Sequence, residues 1–123
     1  MNMEQTSIKK RVIGVDIGNM LTSYAIVDVR GNVIAHDSFP TSDYPDVNKY
    51  IDKLTEVIIE ISEANGGYDT IRSVGISCPS ASYASGCIEN AANLPWKGVV
   101  PLASMLQDRL GLAVALGNES CVP

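Results

Sequence analysis

Asp16 and Gly18 are the residues of this chain whose types and spacing most plainly suggest chemistry. They close the segment Arg11-Val-Ile-Gly-Val-Asp-Ile-Gly-Asn19, whose residues from Val12 to Val15 are all apolar or glycine. A run so short and so rich in β-branched side chains reads as a central strand. Asp16 then stands near the carboxyl end of that strand, where open α/β sheets place their ligands. Gly18 lets the backbone turn sharply and leaves room for a close approach to the main chain. A second strand comes at once, so the unit is strand-turn-strand. The Rossmann and P-loop signatures run instead from strand into helix. The plain alternative is a hairpin with an incidental Asp, because both residue types are frequent in turns; the segments downstream of it weigh against that alternative.

Other reactive side chains are few. Cys78, Cys87 and Cys121 form no C-x-x-C pair and adjoin no histidine, so no zinc site is expected. An odd number of cysteines without a signal peptide points to reduced, structural thiols. His36 is the single histidine and falls in the alternating stretch Val33-Ile-Ala-His-Asp37, which makes it a surface strand residue. The formal net charge of −5, with no basic block, argues against a nucleic-acid surface, which needs clustered Lys and Arg. No apolar run is long enough to cross a bilayer and the polar stretch Met1 to Lys10 has no leader-like core, so no membrane partner is expected and the expected compartment is cytoplasmic. With 46% apolar and 19% charged residues over 123 positions, the chain has the material for one domain with a core.

The elements that must position Asp16 emerge from the pattern. Strands are expected at Val12–Ile17, Ser23–Val29 and Val33–Phe39, with Gly31-Asn32 making the tight turn between the last two. Asp46 caps a helix in which Val47, Tyr50, Ile51, Leu54, Val57, Ile58 and Ile61 recur on one face, and Gly66-Gly67 ends it. Ile71–Ser77 is a fourth strand. Cys78 to Lys97, at about twenty residues, exceeds the usual loop and is read as functional or as holding a small hairpin around Ser85-Gly86. Pro101 starts a second helix with Leu102, Met105, Leu106 and Leu110 on one face and Gly111 as terminator. Leu112–Leu116 is a fifth strand. The order β-β-β-α-β-loop-α-β puts antiparallel hairpins into a sheet that becomes parallel through right-handed crossovers. That is an α/β, ribonuclease-H-like (actin-like ATPase) lobe, a mixed five-stranded sheet with helices packed on it. Residues 1–10 are expected to be disordered or loosely held and 11–123 to form the lobe.

Four segments, read together, resemble the N-terminal lobe of the ROK family (repressors, open reading frames and sugar kinases). Val15-Asp-Ile-Gly18 is similar to its D-I-G-G-T phosphate loop, and Val74-Gly-Ile-Ser-Cys-Pro79 to its G-I-S-x-P-G segment. Asn93-Leu-Pro-Trp-Lys-Gly98 with Pro101-Leu102 resembles N-L-P-W-x-G-x-P-L. Leu110-Gly-Leu-Ala-Val114 resembles the strand that delivers an N-D-A-N catalytic segment, here Asn118-Glu-Ser-Cys121. Departures are clear. Asn19 stands for the second glycine, Met20 for Thr and Leu21 for a frequent Lys; Ser80 replaces a glycine, and Glu119 the catalytic Asp. Asn tolerates left-handed backbone, so the turn can survive. The lost hydroxyl is harder to replace: Thr22 or Ser23 would need a register slip, which reverses every side chain.

The resemblance implies an ATP-dependent sugar kinase lobe for glucose or a related hexose or amino sugar, inactive as an isolated fragment because the second lobe is missing. Asp16 would orient Mg²⁺ through water, and backbone N–H groups around Gly18 and Asn19 would face the phosphates of ATP. Ser80, Asn93 and Asn118 would meet the sugar substrate, and Glu119 would be the base. Glu119 as a solvated terminal carboxylate, and Asn93 as an amide bonding its own backbone, remain open alternatives. Trp96 reads first as a plug over the core and second as a face for a sugar. The competing functions are a sugar-sensing regulator and a non-catalytic sugar-binding relative. Only residues 1–10 precede the first strand, too few for a DNA-reading module, which sets the regulator behind. A homodimer is the expectation for the full-length protein.

Overall fold

The computed structural model describes residues 10–78, 81–82, 86–89, 96 and 99–117. Strand β1 (Arg11–Ile17) runs antiparallel to β2 (Leu21–Asp28), which runs antiparallel to β3 (Val33–Pro40). Their side chains alternate as a pleated strand requires. Ile13, Val15 and Ile17 are buried, while Asp16 between them is exposed. The turn between β2 and β3 is organised by Asp28, whose Oδ1 accepts from the backbone N–H of Arg30 and of Asn32, both at 2.9 Å. Gly31 supplies the left-handed step there, at φ +88°.

A long helix, α1 (Val47–Ala64), crosses back over the sheet. Asp46 caps it by accepting from the Asn48 N–H at 2.9 Å, which satisfies one of the donors a helix start leaves open. Gly66 and Gly67, both at positive φ, turn the chain out of it, and Arg11 Nη1 donates to the Asn65 carbonyl, tying the start of β1 to this end. Strand β4 (Ile71–Ser77) then lies parallel to β1. Next comes a small second sheet of β5 (Ala81–Ser82), β6 (Cys87–Glu89) and β7 (Val99–Val100). Its β5–β6 pairing, Ala81 with Ile88 and Ser82 with Cys87, makes the expected small hairpin, with Gly86 at φ +68° and Ser85 outside the described residues. The third strand was not expected, being only the pair Val99-Val100. Helix α2 (Leu102–Leu110) ends at Gly111 in the left-handed region, φ +72°, and β8 (Ala113–Gly117) completes the main sheet parallel to β4.

The main sheet has the order β3-β2-β1-β4-β8, the expected five-stranded mixed sheet. Helices α1 and α2 bury one of its faces: Tyr50, Ile51, Leu54 and Ile58 from α1, with Leu102 and Leu106 from α2, join the inward residues of the strands in one core. Each fully buried aliphatic side chain contributes about 1.5–3 kcal/mol, so this face fixes the strand register. The opposite face is different in kind. Across it Ala25, Gly14, Gly75 and Ala115 fall in one register row. A Cβ on Gly14 or Gly75 would meet nothing within 4 Å. No described helix is long and apolar enough to cross a membrane.

Candidate functional site

Asp16 is carried to the surface by the penultimate step of β1 and faces the side of the sheet that the helices leave uncovered. The residue opposite it on β2 is Ser23, and its partner on β4 is Ser77. Gly117 pairs with Ser77 at the end of β8. A carboxylate between two serines therefore lies across the carboxyl ends of three parallel strands, β1, β4 and β8. Directly paired side chains of a sheet share one face and lie about 5 Å apart. This row closes one end of a broad trough of about 1560 Å³ that continues over the small-residue face. The trough as a whole exceeds the roughly 300–1,000 Å³ of small-ligand pockets and is an open sheet face; the polar end is the part suited to a ligand.

Beyond Asp16 the chain turns within Gly18 to Leu21. The Gly18 N–H donates to the Leu21 carbonyl at 2.9 Å, and a Cβ on residue 18 would come to 3.0 Å from that same oxygen. Gly18 is not among the glycines at positive φ, so what the turn requires of it is space. Asn19 is exposed in the turn. Met20 and Leu21 project into solvent at 70% and 50% exposure. The turn is held from behind, where the Thr41 N–H donates to the Met20 carbonyl at 2.9 Å.

Thr22 and Ser23 fall on opposite faces in the observed register. Thr22 is fully buried, its Oγ1 at 2.7 Å from the Thr41 hydroxyl and 2.8 Å from the Tyr50 hydroxyl, so it is not a phosphate-facing group. Ser23 needs no slip to stand beside Asp16, and with Ser77 it is the part of this row that sequence reasoning missed. The alternation of Thr-Ser-Tyr-Ala-Ile-Val carried that signal, had the register with β1 been known.

Cys78, at the end of β4, is buried packing as expected; burial, with the charge of Asp16 adding, pushes its thiol up to about 12. Trp96 is the core plug, 4% exposed, its ring centroid 4.4 Å from that of Tyr50 and its Nε1–H donating to the Tyr44 carbonyl at 3.0 Å. His36 is exposed on β3. Ser80, Asn93, Asn118 and Glu119, and the segment before Lys10, lie outside the described residues. No cluster of three or more His, Cys, Asp or Glu side chains occurs among the described residues. Among the described residues of its row Asp16 is the one carboxylate. That fits Mg²⁺, which keeps most of its waters and takes one or two carboxylates together with substrate phosphates.

The sequence matches the ROK family over residues 12–121. No curated protein matches it. Among solved structures, the chain is similar to a ROK family glucokinase from Streptomyces griseus in complex with glucose and AMPPNP: TM-score 0.75, 25% identity, 88% of this chain and 33% of that one. A ROK hexokinase from Thermus thermophilus superposes with TM-score 0.70 at 22% identity, over 88% of this chain and 35% of that one. A ROK family transcriptional regulator, a homolog of the E. coli MLC protein, gives TM-score 0.74 at 14% identity, over 92% and 28%. The chain thus spans about a third of the length of these structures.

Proposed function

Since the chain belongs to the ROK family, we propose that it is the N-terminal lobe of an ATP-dependent sugar kinase acting on glucose or a related hexose or amino sugar. The observation that carries this reading is the Asp16 row. An exposed carboxylate flanked by Ser23 and Ser77 lies at the carboxyl ends of parallel strands and runs straight into the Gly18 turn. The same fold holds glucose and a nucleotide analogue in the Streptomyces protein.

Phosphoryl transfer asks the protein mainly for positioning and for charge at the transferring group. Asp16 would hold Mg²⁺ through its waters, and the ion would neutralise charge on the ATP phosphates. Asn19 brings its backbone to the phosphate side of the turn, with Gly18 giving the turn its close fit. Asn118, Asn93 and Ser80 would hold sugar hydroxyls. Glu119 would take the proton of the attacking hydroxyl as its oxygen bonds to the γ-phosphorus and ADP leaves. A lobe with about a third of its relatives' length supplies half of such a cleft, so activity belongs to the full-length protein.

A second reading, a sugar-binding regulator or idle relative, is favoured by Met20 and Leu21. Their exposed apolar side chains stand where the family motif has Thr and often Lys. The regulator's superposition shows that the fold accommodates either role. Purified full-length protein incubated with a panel of hexoses, ATP and Mg²⁺ separates the two: the kinase reading expects sugar-dependent ADP release that Asp16→Asn abolishes. Sugar binding by calorimetry with no ADP release above background would favour the second reading.

A further inference from the structure

The geometry points to Tyr50 as a positioning residue that ties the Gly18–Leu21 turn to Trp96, a strut between the phosphate-side turn and the residue that stands in sequence between β6 and β7. The functional meaning of the strut rests on the kinase reading above; its physical existence does not.

Tyr50 lies in the first turn of α1 and is fully buried. Its hydroxyl, at 2.8 Å from Thr22 Oγ1, is the end of a chain of three buried hydroxyls that continues to Thr41 at 2.7 Å. Thr22 is the first residue after the turn, and the backbone N–H of Thr41 holds the Met20 carbonyl at 2.9 Å. The polar end of Tyr50 therefore holds the exit of the turn directly and, only through Thr22, reaches the residue that holds its middle. The ring end does something else. It packs at 4.4 Å between centroids on Trp96, whose indole is pinned to the Tyr44 carbonyl at 3.0 Å. Phe39 and Tyr44 close the cluster at 5.6 Å and 6.5 Å from the Tyr50 ring. A core aromatic with a hydroxyl inside it is costly unless the hydroxyl is satisfied, and here it is satisfied by the strand that leaves the turn. One side chain thus holds the strand that leaves the turn and the Trp96 indole by two separable means, a hydrogen bond and a tilted ring contact.

The two means give different variants different signatures in the full-length protein. Tyr50→Phe keeps the ring, so exchange of the backbone amides over Met20–Thr22 should quicken about fivefold, the loss of one net hydrogen bond, while the Trp96 indole N–H stays protected. Tyr50→Leu should release both. Ile58→Val, two turns further along the same helix and fully buried, loses packing of similar small cost and should change neither. In turnover, Tyr50→Phe should lower kcat about tenfold through misplacement of the turn, with KM for the sugar little changed and Ile58→Val near the parent value. Unchanged exchange over Met20–Thr22 in Tyr50→Phe would overturn the strut, as would equal quickening in Ile58→Val. If exchange responds as stated but the unsubstituted protein phosphorylates no sugar, the strut stands and the kinase reading fails.

Discussion

Thr22→Val replaces a hydroxyl by a methyl of nearly the same shape in the fully buried centre of the chain Thr41–Thr22–Tyr50. Three hydroxyls carry three protons and form two bonds, both of which pass through Thr22 Oγ1. Removing that oxygen leaves the Thr41 and Tyr50 hydroxyls each without its partner, and a buried polar group so stranded costs about 1–3 kcal/mol. The sum is about 2–6 kcal/mol, which for a chain of this size lowers Tm by roughly 10–20 °C. Tyr50→Phe removes only an end of the chain and leaves the 2.7 Å Thr22–Thr41 bond in place, so it should cost about 1 kcal/mol. Thr22→Ser keeps the oxygen and loses one methyl, again about 1 kcal/mol. Burial holds the Tyr50 phenol well above its ordinary value. It stays protonated, and the ranking should be the same from about pH 6 to pH 9. Urea and thermal unfolding monitored by circular dichroism measure all three. A Thr22→Val cost no larger than that of Tyr50→Phe would refute the view that Thr22 is the shared partner.

Three further outcomes are expected. In the full-length protein, Asn19→Gly with Met20→Thr should tighten ATP binding, about tenfold for the one regained charge-assisted hydrogen bond; calorimetry without any gain would count against the phosphate-turn assignment. Glu119→Gln should abolish turnover and leave sugar binding largely intact, because an amide bonds a hydroxyl but cannot take its proton, while Glu119→Asp should keep or raise activity. Full turnover in Glu119→Gln would remove it as the base. Finally, the backbone N–H of Asn32, aided by that of Arg30, holds the Asp28 carboxylate below its ordinary value. The folded pKa being the lower one, its contribution is present above the ordinary carboxylate range and is lost as pH falls through the depressed value. Amide exchange at Arg30 and Asn32, whose N–H groups the carboxylate accepts, should therefore rise on acidification in the parent protein and be pH-flat, after correction for intrinsic rates, in Asp28→Ala.

The strands around Asp16 and both helices were legible because their patterns are redundant: seven apolar positions on one face of α1, an aspartate cap before it and two glycines after it all agree. The place of Asp16 at a strand end came from the same logic. What the sequence does not display is which side chains become neighbours across strands. Ser23 beside Asp16 depends on the β1–β2 register, and Thr22 in the core depends on Tyr50, twenty-eight positions away. The role of Gly18 was half legible: that a glycine is needed is clear, but that the need is for distance from the Leu21 carbonyl is visible only in the folded chain. Asp28 was overlooked because its service to the turn lies outside the Gly31-Asn32 pair that marks the hairpin. The β7 strand was too short to carry any periodicity.

Cys78 turns the floor beneath Asp16 into a clock. Its thiol is fully buried and pushed up to about 12, so at pH 8 only about one molecule in ten thousand carries the thiolate that alkylating reagents attack. Its backbone N–H is bonded to the Gly117 carbonyl at 3.0 Å, which joins it to the last strand of the sheet. Modification of this buried sulfur must therefore wait for a local opening of the fold around it. The rate of labelling, extrapolated to high reagent concentration, counts those openings directly, and its suppression by any bound ligand would report how far that ligand seals the carboxyl end of the sheet.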